Sequence, residues 1–166
     1  MNIFVLDKDI KTCARYHCDQ HVVKMILEST QILCTALNLK GFDTPYKSTH
    51  TKHPCVNWAG MSYSNFQWLT KLTLALNDEY KFRYNTAHDH KSIETLRKIQ
   101  QYEYEDHGLT EFPQAMPAEY KVDGDPVQAY RNFYNYDKSR FASWTKREKP
   151  PWFEVKFDTK IEDVKQ

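Results

Sequence analysis

His17, His21, Lys24, Glu28, Gln31 and Thr35 recur at intervals of 4, 3, 4, 3 and 4. That spacing puts them on one face of an α-helix, provided the helix reaches back to His17. A single carboxylate stands on this stripe, with Lys24 one turn before it and His21 two turns before it. Lys preceding Glu is the weaker orientation for helix support, so surface stabilisation is not an obvious reason for the pair. Two readings stay open. The stripe is a solvated face with one ordinary ion pair, or Glu28 serves a cation that develops near phosphates during a reaction.

His50, His53 and Cys55 form a second polar cluster, KSTHTKHPC. With Cys18 or His17 it offers four ligands of the kinds zinc takes. It lacks the CxxC and HExxH spacings, and loop residues satisfied by hydrogen bonds explain it equally. No metal is assigned. His88, His90 and Lys91 read as a helix start. There is no Gly-rich phosphate loop, no GxSxG and no Cys–His nucleophile pair, which removes nucleoside-triphosphate hydrolysis and serine hydrolase chemistry.

The elements that must carry these residues are mostly helical. Residues 2–6 (NIFVL) are a short strand or an extended segment laid on the body. Residues 8–16 suit a short helix capped by Asp7 or Asp9. Asp19 to Leu39 has the strongest helical period, through Val22, Val23, Ile26, Leu33, Cys34 and Leu37, with Gly41 as the stop. Residues 41–57 read as a long loop in which Pro54 makes a rigid turn. A second long helix is predicted from Asn57 or Ser62 to Tyr84, with a core face of Phe66, Leu69, Leu72, Leu76 and Tyr80. A third covers 91–103. Residues 107–126 cross irregularly, and a last helix runs from Pro126 to about Trp144 under an Asp125 cap. Pro150-Pro151 ends regular structure. The expected fold is a compact single domain, 1–166, mostly α, with an extended N-terminal segment packed between helices and a C-terminal extended tail over 150–166.

A length of 166 residues suits one domain, and 40% apolar with 27% charged residues suits a soluble globular chain. No apolar run approaches 18 residues, and MNIFVLDKD has no signal-like opening, so neither membrane insertion nor secretion is expected. Four cysteines in such a chain point to reduced thiols and a cytoplasmic setting. Net charge is +1, without the single-sign field of a strong nucleic-acid binder. The distribution is more telling. Residues 138–149 hold Lys138, Arg140, Lys146, Arg147 and Lys149 against Glu148, a local excess of +4, among Tyr130, Phe133, Tyr134, Tyr136, Phe141, Trp144, Trp152 and Phe153. Basic residues interleaved with aromatics suit a phosphate backbone and stacked bases. A core helix with a solvated basic face has the same composition.

Asp19-Gln20-His21, with Glu28 seven residues beyond the histidine, resembles the phage-type pyrimidine-dimer DNA glycosylases, the endonuclease V family of UV repair. LALNDEYKFRYN is similar to that family's Glu-x-x-x-Arg helix end, here Glu79 and Arg83. FPQAMPAEYKVDGD resembles its Pro-Gln followed by Gly-Asp, and Pro150-Pro151-Trp152-Phe153 its Pro-x-Trp-Tyr beside the DNA. The resemblance implies a cofactor-independent monomer whose N-terminal α-amine attacks C1′ of a damaged nucleotide and forms a Schiff base. A glutamate assists base departure and the strand-nicking elimination. An α-amine ordinarily titrates near about 7.7–8.0, so part of it is nucleophilic at neutral pH. Transferred residue by residue, the catalytic pair is Met1 and Glu28. Contacts to substrate or DNA fall to Asn2, His21, Lys24, Gln31, Lys146, Arg147, Lys149 and Trp152.

The chain also departs from the pattern. Family members expose a small N-terminal residue followed by arginine, whereas Asn2 is too large for ordinary methionine removal and leaves the free amine on Met1. Leu27 and Gln31 stand where the family sets arginines, and an amide does not replace a guanidinium fork. The expected activity is therefore a DNA glycosylase, with or without AP-lyase activity, on a damaged or modified pyrimidine. The alternatives are a nucleic-acid-binding or inhibitor protein of the same fold, and a metal-dependent enzyme built on His50, His53 and Cys55.

Overall fold

The computed structural model describes residues 1–156. Among them are six α-helices and no strand: α1 (Ile10–Tyr16), α2 (Asp19–Leu39), α3 (Pro54–Met61), α4 (Tyr63–Arg83), α5 (Ser92–Ile99) and α6 (Pro126–Phe133). The mostly α expectation holds. Of the tail expected at 150–166, residues 157–166 lie outside the described residues.

α2 is the central helix and packs against α3, α4 and α5, while α1 packs on α4. Its length and apolar composition would suffice to cross a bilayer, yet 61% of the apolar stretch is buried inside the protein. Its end is a Schellman turn. Gly41 adopts φ +90°, which lets the Gly41 N–H reach Asn38 O at 3.0 Å and the Phe42 N–H reach Leu37 O at 3.1 Å. Asp9 caps α1 by accepting from Thr12 N, and Asp125 caps α6 by accepting from Gln128 N.

Ile3, Phe4, Val5 and Leu6 are buried in extended conformation among the helices. Phe4 is their anchor. It stacks on His21 with ring centroids 4.2 Å apart, and it meets Tyr130, Phe133 and Tyr134 edge-on or stacked.

Several boundaries differ from the sequence reading. Pro54 opens α3 instead of making a turn, because the Pro lacks an N–H that a first helical position would leave unpaired anyway. α5 ends at Ile99. α6 gives way after Phe133 to one π-helical turn, Tyr134–Lys138, so the last helix stops well short of Trp144. His17 is the C-cap of α1 and lies outside α2, so the polar stripe begins only at His21.

Candidate active site

The Met1 α-amine lies 3.1 Å from Glu28 Oε1. Two features of the sequence produce this meeting. The apolar run 3–6 draws the chain between the helices, and Glu28 is on the part of α2 that this segment reaches at its free end. Only 2% of the Met1 side chain is exposed, although the residue as a whole is half-buried. Solvent therefore reaches the main-chain end, while the thioether is an apolar anchor beneath it. Glu28 is 15% exposed, and its second oxygen, Oε2, is buried with no hydrogen-bond partner among the described residues. A buried carboxylate oxygen left unpaired beside an amine costs stability, and it keeps unused acceptor capacity for a proton.

Asn2 is turned inward. Its Nδ2 donates to Ala115 O at 2.8 Å, and its Oδ1 accepts from the Ile3 N–H and from the Tyr130 hydroxyl, both at 2.8 Å. The expected substrate contact is therefore a structural clamp on the N-terminal segment.

His21 departs from expectation too. It is 4% exposed, stacked on Phe4, with Nδ1 2.7 Å from the Tyr134 hydroxyl. Burial pushes its pKa down to about 2, so it is a neutral core residue with no open face for DNA. Thr35 at the other end of the stripe is buried too, accepting from the Thr49 N–H. Between these covered ends, Lys24 is exposed without an ion-pair partner among the described residues, and Gln31 is half-buried. Lys24, Glu28 and Gln31 are the part of the stripe that a ligand can reach.

The basic segment divides in the same way. Arg147 is committed to Glu79, with NH2 to Oε1 at 2.6 Å and Nε to Oε2 at 3.2 Å, and its guanidinium lies over the Phe82 ring. Glu79 also accepts from Arg83 at 2.9 Å, and Arg83 reaches Asp19 Oδ1 at 3.1 Å. The Glu-x-x-x-Arg pair of α4 thus joins α2 to the 143–147 loop, and the guanidinium groups hold the Glu79 carboxyl below its ordinary pKa. The structure places Arg147, expected at the DNA, in this network. Lys146 donates to Phe82 O at 3.1 Å from an exposed position with φ +60°. Lys149 and Arg140 are exposed and unpaired among the described residues. Trp152 packs at 5.7 Å from Tyr16 and 5.9 Å from Tyr134, with Arg131 over its ring. The expected base-stacking ring is half-buried against the core.

His50, His53 and Cys55 do not converge. His53 accepts from the Cys55 N–H through Nδ1 at 3.0 Å, capping α3, while His50 Nδ1 pairs with Thr49 Oγ1. Among the described residues no three His, Cys, Asp or Glu side chains are grouped to hold a metal ion. The four cysteines are free and buried. A cavity of about 640 Å³ opens between α1 and α4 beside Ile10, Leu74 and Phe82, and its lining includes neither Met1 nor Glu28.

Two clamps were not read from the sequence, the Tyr130 hydroxyl on Asn2 and the His53 cap at α3. A signal for the second was present, since His-Pro ahead of the run CVNWAGM is a cap followed by Pro at the first helical position.

A family model described as pyrimidine dimer DNA glycosylase matches residues 1–92 of the 166. No curated protein and no solved structure matches the chain. The matched stretch contains the amine–carboxylate pair, Met1 and Glu28, and the Asp19, Glu79 and Arg83 members of the network, while Arg147 and the 143–147 loop lie beyond it. The chain belongs to the pyrimidine dimer DNA glycosylase family.

Proposed function

We propose that the protein is a DNA glycosylase with AP-lyase activity, acting on a damaged or modified pyrimidine through the Met1 amine and Glu28. The observation that carries this reading is the 3.1 Å approach of the Met1 nitrogen to Glu28 Oε1, with Oε2 buried and unpaired among the described residues. After the ammonium gives up a proton, its lone pair attacks C1′ as the N-glycosidic bond breaks. The departing base takes that bond's electron pair and a proton. Opening of the C1′–O4′ bond, with protonation of O4′, leaves an iminium between Met1 and the sugar. Removal of a C2′ proton then expels the 3′ phosphate, and water releases the amine. Glu28 is within reach of both the amine and a sugar bound to it, so one carboxylate serves the proton transfers and the positive charge at C1′.

DNA is held in this reading by Lys24 beside the pair and by Arg140 and Lys149, exposed cations without an ion-pair partner among the described residues. Gln20 links the two regions, because its Nε2 donates to Phe141 O at 2.8 Å and it lies two helical turns before Glu28 on α2. Eight residues at 1.5 Å each make that separation about 12 Å.

Borohydride trapping on duplexes carrying a pyrimidine dimer or an abasic site tests the proposal. The wild type should become covalently attached through Met1, as peptide mass analysis would identify. Glu28→Gln should abolish base release while folding and DNA binding stay near wild type. Full nicking by a protein with an acetylated or extended N-terminus would remove Met1 from the mechanism and make Lys24 the next candidate. A Glu28→Gln variant that turns over normally once folded would make that carboxylate structural.

A further inference from the structure

The loop between α2 and α3 is basic, and the proposed reaction makes no use of it. From Thr44 to Asn77 the chain holds no aspartate or glutamate. Within that stretch Lys47, His50 and Lys52 are exposed, and none has an ion-pair partner among the described residues. The loop is nevertheless fixed in place. The Thr49 N–H donates to Thr35 Oγ1 at 3.1 Å, and Asn38 Nδ2 donates to Tyr46 O at 3.0 Å and Ser48 Oγ at 3.2 Å. Thr35 and Asn38 share the face of α2 that carries Lys24, Glu28 and Gln31. The loop therefore crosses the C-terminal end of that face, seven residues or about 10 Å beyond Glu28. At the opposite end Gln20 holds the Phe141 carbonyl, and with it Arg140, about 12 Å before Glu28.

His50 is strained where it stands. Its φ of +50° is a left-handed conformation that glycine adopts freely and a residue with a Cβ adopts at a cost. Its Nδ1 pairs with the adjacent Thr49 Oγ1 at 2.8 Å, and Nε2 has no partner among the described residues. An exposed imidazole kept at such a turn leaves one ring nitrogen for a ligand. We propose that this loop is a second DNA clamp, in which Lys47, His50 and Lys52 hold phosphates of one duplex arm while Arg140 holds the other. At 3.4 Å per phosphate along one strand, both clamps fall about three base pairs from the nucleotide at Met1. The inference rests on the reading of Met1 and Glu28 as the reacting pair, and it adds the axis along which the DNA lies.

Binding titrations at several salt concentrations test it, on a duplex with a central tetrahydrofuran abasic analogue and on two versions with one arm cut to two base pairs. On the full duplex, the double variant Lys47→Ala/Lys52→Ala should lower the log–log salt slope by about 1.8, at 0.9 per phosphate. It should melt like wild type. Cutting one arm should abolish this deficit and keep that of Arg140→Ala, and cutting the other arm should reverse the pattern. His50→Gly should melt at or above wild type and bind several-fold more weakly; wild-type binding would remove the imidazole from the clamp. An unchanged slope in the double variant overturns the proposal. So does a deficit that survives the loss of either arm, or one that vanishes with the same arm as that of Arg140→Ala. If wild type binds the duplex but borohydride traps no natural abasic site, the proposed reaction fails and the arm dependence still decides on the loop. A wild type that binds no duplex ends both.

Discussion

Asn2 uses each of its side-chain polar atoms inside the protein, and it stands directly beside the proposed nucleophile. Its Oδ1 accepts from the Ile3 N–H, the Tyr130 hydroxyl and, at 3.8 Å, the Cys55 thiol, and its Nδ2 gives a proton to Ala115 O. The Tyr130 hydroxyl also contacts Pro113 O at 3.0 Å and receives the Ala115 N–H, so Asn2 ties the chain start to α6 and to the 113–115 loop. Asn2→Ala should cost about 1–3 kcal/mol in a urea denaturation, because it strands partners in a partly buried place. Amine reactivity should change along with it, since the residue before Ile3 would no longer be held. Unchanged stability would mean that Tyr130 and Ala115 re-pair without it. Met1 has a comparable logic. Its buried side chain supplies an apolar anchor beneath the amine.

The loop 143–147 is an element held by charge and not by secondary structure. Asp19 accepts from the Thr145 N–H and from the Ser143 and Thr145 hydroxyls, and Glu79 accepts from Arg147 and Arg83. Arg147→Ala should therefore act on folding. Losing a bidentate partner of Glu79, which is 5% exposed, should cost about 1–3 kcal/mol and leave the salt dependence of DNA binding as it was. Arg140→Ala and Lys149→Ala make the opposite prediction. If each neutralises one phosphate, each should lower the log–log salt slope by about 0.9 with little effect on melting temperature. Trp152→Ala belongs with Arg147, because the ring fills space between Tyr16 and Tyr134, and roughly 2–4 kcal/mol of stability should go with it. Fluorescence titrations at several salt concentrations, beside thermal melts, would sort the four variants. A reduced salt slope in Arg147→Ala would show that its ion pair opens to DNA.

At the scale of the molecule, acid sensitivity is built into the core. His17 is fully buried, donates through Nδ1 to Cys13 O at 2.7 Å, and has no partner at Nε2 among the described residues. Burial pushes His17 down to about 4 and His21 down to about 2 from an ordinary 6.5. Both are neutral when folded, whereas the unfolded imidazoles take protons as pH falls below that value. Their contribution to stability is complete above about pH 6.5 and is lost as pH drops toward the folded values. By pH 5 each histidine should have withdrawn about 2 kcal/mol. Asp19 and Glu79, both held below their ordinary values of 3.8 and 4.5, add to the loss only at lower pH. Thermal melts should therefore decline between pH 7 and 5, and His21→Phe should flatten that decline. A level profile over this interval would contradict buried neutral histidines.

Legible in the residues alone were the helical period of α2 and α4, the Asp125 cap, a cap for α1 at Asp7 or Asp9, the Gly41 stop and the stripe on which Glu28 stands. These are local properties, fixed by spacing along one helix or by the conformational needs of one residue. The helical arithmetic was right in placing His21, Lys24, Glu28, Gln31 and Thr35 on one face. Nothing in that arithmetic says what lies over the face. Phe4 and Tyr134 cover its beginning at His21, the loop bearing Thr49 covers its end at Thr35, and only the middle stays open beside Met1. The basic segment was equally visible as composition, yet Arg147 and Trp152 turn inward because Glu79 and the Tyr16–Tyr134 space are there to receive them. The covers of the α2 face come from as near as 14 residues away, as Thr49 over Thr35, and from as far as 113, as Tyr134 on His21. Periodicity reports which residues share a face, and only the tertiary packing decides which part of that face meets water.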